Sequence, residues 1–279
     1  KVAPMSAAEL TAQWQNLKSS VQVSFVNSNT RYSQDRIPQV QQQNNHTLTA
    51  WKGEKVHSQI ALWTNKQLAS VRVGVSDLKT MGGKRIAKAN ISTGFLGYVM
   101  TDEFRNGCGH RQPQNFDSSL VADLIHTSQE FIDLKKNKVQ PIWISINVPA
   151  STAAGSYTGT VTIKADKSYT LNLTVKVLDK TLPPPAQWRF NLVLWQHPAA
   201  IARVHKVPLW SNAHFTLMKK YYTMLADAGQ KNITASIVDE PWGHQTYDDF
   251  PSLIRWTKKK GGSWHYDYSL FDKYISFVM

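Results

Sequence analysis

The stretch TLPPPAQWRFNLVLWQHP, residues 181–198, divides the chain into two unlike halves. Three consecutive prolines, Pro183 to Pro185, fix φ and remove amide donors, so neither a helix nor a central strand runs through them. They read as a domain boundary near residue 185, giving domains 1–184 and 185–279. The near-continuous apolar run that follows, RFNLVLWQHP, has the composition of a strand buried on both faces.

Downstream of it, HFTLMKKYYTMLADAGQ (214–230) sets Phe215, Met218, Tyr222, Leu225 and Ala226 at helical spacing, with Gly229 as the stop. KNITASIV (231–238) then reads as a second buried strand, and strand–helix–strand is the repeating unit of a parallel α/β sheet. LIRWTKKKGGSWHYDYS (253–269) alternates on either side of Gly261 and Gly262, as an inserted hairpin does. In SLFDKYISFVM (269–279), Ser269 as N-cap with Asp272 three positions on predicts a capping box at the start of a helix.

Upstream, the pattern is that of strands. VQVSFVN (21–27), HTLTAWKG (46–53), HSQIALWTN (57–65), ASVRVGVSDL (69–78), PIWISINVP (141–149), SYTGTVTIKA (156–165) and SYTLNLTVKVLD (168–179) are short, rich in β-branched and aromatic residues, and bounded by turn formers. These runs predict an antiparallel β-sandwich, with a hairpin turn at Asp166, Lys167 and Ser168. SLVADLIHTSQEFIDLKK (119–136) is ambiguous, because its apolar spacing fits a helix and its neighbours are strands.

Composition narrows the function classes. Of 279 residues, 42% are hydrophobic and ten are Trp, as in a packed globular protein. No run of 18 apolar residues exists to span a membrane. The single cysteine, Cys108 in NGCGHR, excludes an internal disulfide and a Cys-rich metal site, and reads as a buried structural thiol. A net charge of +13 raises anionic partners, yet the lysines cluster in turn-like DLKKNK and TKKKGG with no recognition helix, finger or RNP strand to present them. A solvated surface is the better reading, and nucleic acid is not expected as a partner. His197, His205 and His214 lack the spacing that holds a metal, and no phosphate-cradling Gly loop or nucleophile elbow occurs, so neither metal nor cofactor is expected.

The remaining chemistry-bearing stretch is ASIVDEPWGHQTYDDF (235–250), with adjacent carboxylates at Asp239 and Glu240. Consecutive side chains on a strand point in opposite directions, so the backbone has to turn for both to face one cavity. Pro241 favours such an exit from the strand.

AWKGEKVHSQIALWT, the Gly-Cys-Gly loop, PIWISINVPASTAAGSYTGTV, LWQHPAAIARVHKVPLWS, AGQKNITASIVDEPWGHQT and GGSWHYDYSLFDKYISFVM together resemble glycoside hydrolase family 123 and its uncharacterised relatives, nearly end to end. The resemblance implies a two-domain protein, an N-terminal antiparallel β-sandwich followed by the first βα units of a (β/α)8 TIM-type barrel that is incomplete in this chain. It implies an exo-acting β-N-acetylgalactosaminidase, bacterial and exported to the periplasm, cell surface or medium. Such enzymes resemble substrate-assisted glycosidases: the sugar's 2-acetamido oxygen attacks the anomeric carbon, one carboxylate orients it, and the adjacent acid protonates the leaving oxygen. The family's Asp-Glu pair lies after more barrel strands than this chain holds, so Asp239 and Glu240 are not the acids, which are expected beyond Met279. No catalytic residue is therefore expected in this chain.

Barrel ligands bind at the carboxyl ends of strands, which makes Trp195, His197, Asp239, Glu240, Trp242, His244 and Gln245 the candidate substrate-binding wall. A flat indole with amide, imidazole and carboxylate neighbours suits the apolar faces and polar rims of a sugar carrying a terminal N-acetylhexosamine. The alternatives are a core role for Trp195, turn-capping roles for His197 and His244, and a loop ion pair for Glu240. A non-catalytic carbohydrate-binding or scaffold protein with a degenerate barrel is the competing function, and an Asp-Glu at the end of the fourth barrel strand would decide between them. Residues 186–279 are expected to pack against the remaining C-terminal half of the same barrel, since Trp195, Ile233, Ile237, Phe271, Ile275 and Phe277 would otherwise lie partly in water.

Overall fold

The computed structural model describes residues 5–102, 118–243 and 246–279, so Cys108 lies outside the described residues. The chain forms two compact units that part between Leu182 and Pro183.

The first unit holds helix α1 (Ala7–Gln15) and strands β1 (Val21–Val26), β2 (Asn45–Lys52), β3 (Lys55–Thr64), β4 (Leu68–Val75), β5 (Leu78–Lys79), β6 (Arg85–Ile86), β7 (Ile91–Asp102), β8 (Ser118–His126), β9 (Ile132–Leu134), β10 (Lys138–Asn147), β11 (Gly155–Lys164) and β12 (Ser168–Thr181). Five strands form one sheet in the order β1-β3-β10-β7-β8; the other runs β2-β12-β11-β4-β9, with β5 and β6 attached through β11. Each of the seven runs read as strands lies in one. Val23 and Phe25, Ile60 and Leu62, Ile142 and Ile144 of the first sheet pack with Val161, Ile163, Leu173 and Val175 of the second in one buried cluster. The two-residue period is plainest along β12, where buried Leu171, Leu173, Val175 and Val177 alternate with more exposed neighbours.

Two features depart from the sequence reading. The pairing is antiparallel except between β2 and β12, which run parallel in the register Leu173↔His46 to Val177↔Ala50. The cause is the corner at Trp51–Glu54: Gly53 at φ 81 and the Glu54 carboxylate on the Trp51 amide at 2.7 Å turn the chain tightly, but β2 and β3 enter opposite sheets. The ambiguous 119–136 segment is strand. β8 pairs antiparallel with β7, Val99↔Val121 and Met100↔Leu120, so sheet pairing overrides its helical spacing. Helix α1 precedes the first expected strand and carries a capping box between Ser6 and Glu9. Its Trp14 covers the outer face of β3 with Ala61 and Trp63, which explains why β3 is buried on both sides.

The second unit holds α2 (Pro198–His205), α3 (Asn212–Asp227), β13 (Arg255–Lys258), β14 (Trp264–Asp267) and α4 (Ser269–Val278). α3 buries Phe215, Met218 and Tyr222 on its expected face, against Leu253 and Tyr274, with Leu225 packed at the margin; Ala226 is exposed. Gly229 adopts φ 91, and a Cβ there would meet the Trp188 ring at 2.5 Å. The tip of the expected hairpin is closed by Gly261 and Gly262, both at positive φ. The capping box at Ser269 is not formed: Tyr268 is the N-cap, and the Asp267 carboxylate accepts from the Ser269 amide at 2.9 Å instead.

The two expected barrel strands, 189–198 and 231–238, do not make a ladder. They meet at one parallel bridge, Leu192↔Gln230. Side-chain amides replace the missing rungs. The Gln230 amide accepts from the Leu194 N–H at 3.1 Å and donates to the Leu194 and Asn232 carbonyls at 2.9 and 2.7 Å, while Gln196 Oε1 accepts from the Thr234 N–H at 2.7 Å. Nor are these segments buried on both faces: Phe190, Trp195 and Ile237 are exposed. A parallel strand with no neighbour to satisfy its backbone groups is not held flat, and here the amides of Gln196 and Gln230 satisfy them locally. No helix of the described residues is long and apolar enough to cross a membrane.

Candidate functional site

The ends of these two segments build an aromatic platform. Trp195 and Trp242 stack with ring centroids 4.2 Å apart and planes 16° from parallel. Trp242 meets Phe250 edge-on at 6.3 Å, and the His197 ring packs tilted against Phe250 at 4.6 Å. Phe250 is buried and Trp242 half-buried, while Trp195 is 68% exposed.

His197 caps α2, where Pro198 occupies the first helical position. The Ala200 N–H points at its Nδ1 at 3.4 Å, so in the neutral ring Nε2 carries the proton and faces the Asp248 carbonyl at 3.3 Å. Asp248 also accepts from Arg203 Nε at 2.6 Å, a hydrogen bond that raises the guanidinium's pKa, and Arg203 lies over the Tyr247 ring at 4.7 Å. The 246–250 loop is thus tied to α2 from two sides.

Asp239 and Glu240 do not converge. Glu240 sits at φ 47, a left-handed conformation that is strained for a residue with a Cβ and lies directly before Pro241. That twist turns Glu240 towards the platform, where its Oε1 accepts from the Phe250 N–H at 2.8 Å and its own N–H donates to the Phe250 carbonyl at 2.9 Å. Asp239 turns the other way: its Oδ1 accepts from the Ser252 N–H at 2.7 Å, beside a cleft lined by Val238, Ser252, Ile254, Arg255, Trp256 and Trp264. Each carboxylate therefore serves as an acceptor that fixes the returning 250–252 segment.

Beneath the platform, His214 is fully buried. Its Nδ1 accepts from the Trp210 N–H at 3.0 Å and its Nε2 donates to the Pro198 carbonyl at 2.9 Å. Burial lowers its pKa, so the neutral ring locks the first turn of α2 to the segment before α3.

The structure thus brings together Trp195, His197, Glu240 and Trp242 around Phe250, and sets Asp239 to the side. His244 and Gln245 lie outside the described residues. Sequence reading missed Phe250, the hub of the platform, and Asp248, its tie to α2. Both close the 235–250 stretch as "DDF", where the alternation of a strand has already ended and no periodic signal marks them. Among the described residues no three His, Cys, Asp or Glu side chains are grouped as metal ligands.

A family model described as the glycoside hydrolase 123 N-terminal domain matches residues 25–165, and one described as the glycoside hydrolase 123 catalytic domain matches residues 195–279. A solved family 123 glycoside hydrolase from Clostridium perfringens, reported for glycolipid glycan hydrolysis, is 28% identical, with a TM-score of 0.82 over 94% of this chain. The chain spans 46% of that structure's length. The N-terminal domain of PorA, at 8% identity over 57% of this chain and 99% of its own, and the GspB Siglec domain, at 11% over 90% and 94%, each have a TM-score of 0.26 and carry no argument. No curated protein matches the chain.

Proposed function

The chain belongs to glycoside hydrolase family 123, and on that premise we propose that it is the N-terminal portion of an exo-acting β-N-acetylgalactosaminidase that hydrolyses with retention by substrate assistance. Its domains are 1–184, a sandwich, and 185–279, the first βα units of a (β/α)8 barrel. The platform of Trp195 and Trp242, with His197, Asp239, Glu240, His244 and Gln245, is the sugar-binding wall. The protein is bacterial and exported.

The observation that carries this reading is the stacked indole pair, with an exposed face, at the ends of the two segments that follow the sandwich. An indole face matches the C–H face of a pyranose, and the polar groups around it match the hydroxyl rim. Asp239 and Glu240 each have an oxygen held by a loop amide, which supports a positioning role and not that of a proton donor. We assign the acid pair to the part of the family 123 fold that this chain, spanning 46% of the solved relative's length, does not cover.

In the chemistry proposed, the acetamido oxygen bonds to the anomeric carbon as the glycosidic bond breaks, and the acid delivers its proton to the leaving oxygen. Water then opens the oxazolinium from the opposite face. Two inversions give net retention. The test compares aryl β-glycosides with and without the 2-acetamido group, using the full-length protein. Hydrolysis of the acetamido substrate alone is expected, equal turnover of both overturns the mechanism, and binding without turnover favours the carbohydrate-binding reading.

A further inference from the structure

We propose that the β13–β14 hairpin is a second carbohydrate-binding surface, one that holds an acidic oligosaccharide beyond the sugar at the Trp195–Trp242 wall. The inference rests on the glycosidase reading and extends it to the rest of the substrate.

Strand register assigns the hairpin two faces. Trp256 pairs with Tyr266 and Lys258 with Trp264, so these four side chains share one face, while Arg255, Thr257, His265 and Asp267 share the other. On the first face Trp256 meets Tyr266 edge-on at 5.2 Å and Trp264 at 6.2 Å, and Lys258 Nζ lies 6.0 Å from the Trp264 ring centre. Both indoles remain 49% exposed. The hairpin is a two-stranded sheet of its own, and neither indole enters the cluster around Met218 and Tyr274. Edge-on packing stiffens the hairpin and leaves ring faces open.

Charge narrows the occupant. Residues 255–267 hold Arg255, Lys258, Lys259 and Lys260 against one carboxylate, Asp267, and that carboxylate is taken up by the Ser269 amide on the other face. The protein as a whole is basic by +13, an excess that a neutral sugar does not explain. A neutral glycan would need the indoles without the lysines, and a purely ionic partner the lysines without the indoles. A saccharide bearing sulfate or carboxylate groups uses both. A cleft of about 470 Å³ beside the hairpin is lined by Arg255, Trp256 and Trp264 together with Val238, Ser252 and Ile254, so a saccharide held on the indoles has room next to a cation.

The test is calorimetric titration of the full-length protein with a sulfated tetrasaccharide of alternating N-acetylgalactosamine and glucuronate, its desulfated counterpart, a neutral tetrasaccharide of N-acetylglucosamine, and a single-stranded oligonucleotide of equal charge. The acidic sugars are expected to bind tighter than the neutral one, and their ratio identifies sulfate or carboxylate as the group recognised. Trp264→Ala should weaken binding of the acidic sugars roughly tenfold, and Lys258→Ala should flatten the salt dependence. Trp264→Tyr should restore most of the affinity, which separates stacking from folding. Hydrolysis of a short aryl β-N-acetylgalactosaminide, which does not reach the hairpin, should be unchanged in all three variants. Equal affinity for neutral and acidic sugars, tighter binding of the oligonucleotide, or an unchanged affinity in both Trp264→Ala and Lys258→Ala overturns the proposal. If the wild-type protein binds as expected but hydrolyses no aryl glycoside, the glycosidase reading fails and the hairpin surface stands.

Discussion

The sandwich and the unit that follows it are held together by different means. In the sandwich, backbone ladders run the length of the strands: β3 and β10 pair from Lys138↔Thr64 to Asn147↔Lys55, and the side chains between the sheets close over one another. In residues 183–279 the central segments meet at a single bridge, and Gln196 and Gln230 do with side chains what a ladder does with peptide groups. A laddered sheet loses little when one surface residue changes. A junction resting on two amides is sensitive to each of them.

The largest expected effect lies in the sandwich core. Ile144 is completely buried, so Ile144→Ala should cost about 2 to 5 kcal/mol, whereas Ile237→Ala, at a half-exposed position of the second unit, should cost far less. Denaturant unfolding of both variants checks this, and equal losses would erase the contrast. Next, Gln230→Ala removes three hydrogen bonds to backbone groups and should destabilise the second unit by about 1 to 3 kcal/mol. Amide hydrogen exchange should accelerate at 192–196 and 230–234 with the sandwich unchanged; acceleration throughout would mean that the two units unfold as one.

A smaller effect is set by pH. Neutral His214 accepts from the Trp210 N–H, and protonation would set two donors face to face. Because burial lowers its folded pKa below the ordinary 6.5, the unfolded chain takes up the proton first. Stability of the second unit should therefore fall as pH drops below about 6.5 and level off once the folded-state pKa is passed. Thermal melts between pH 8 and 4 should show this slope, and His214→Gln, whose amide cannot titrate in this range, should remove it.

How much of this was legible in the sequence follows the same division. β-branched alternation such as SYTLNLTVKVLD marks the sandwich strands because one face of each is buried and the other is not. β8 was obscured because it is an edge strand with Leu120, Leu124 and Ile125 exposed, so its apolar residues do not follow a single buried face. The parallel β2–β12 pair depends on which sheet the chain enters after Gly53, and local sequence does not encode that choice. In the second unit α3 was readable from Phe215, Met218 and Tyr222, but RFNLVLWQHP was not, since a run of apolar residues looks the same whether or not a ladder forms. At the site, the residue types of Trp195 and Trp242 were suggestive, while their stacking depends on Phe250 and on the left-handed Glu240, neither of which carries a sequence signal.

The central claim is that the Trp195–Trp242 platform holds the sugar of a retaining, substrate-assisted hydrolase. The most direct measurement is the anomer first released from an aryl β-N-acetylgalactosaminide, followed by proton NMR in the full-length protein and in Trp242→Ala. The account predicts the β-anomer first in both, with KM raised in the variant by an amount corresponding to about 1 to 3 kcal/mol of lost sugar contact and the fold intact. First release of the α-anomer, or an unchanged KM in a folded Trp242→Ala protein, would contradict it.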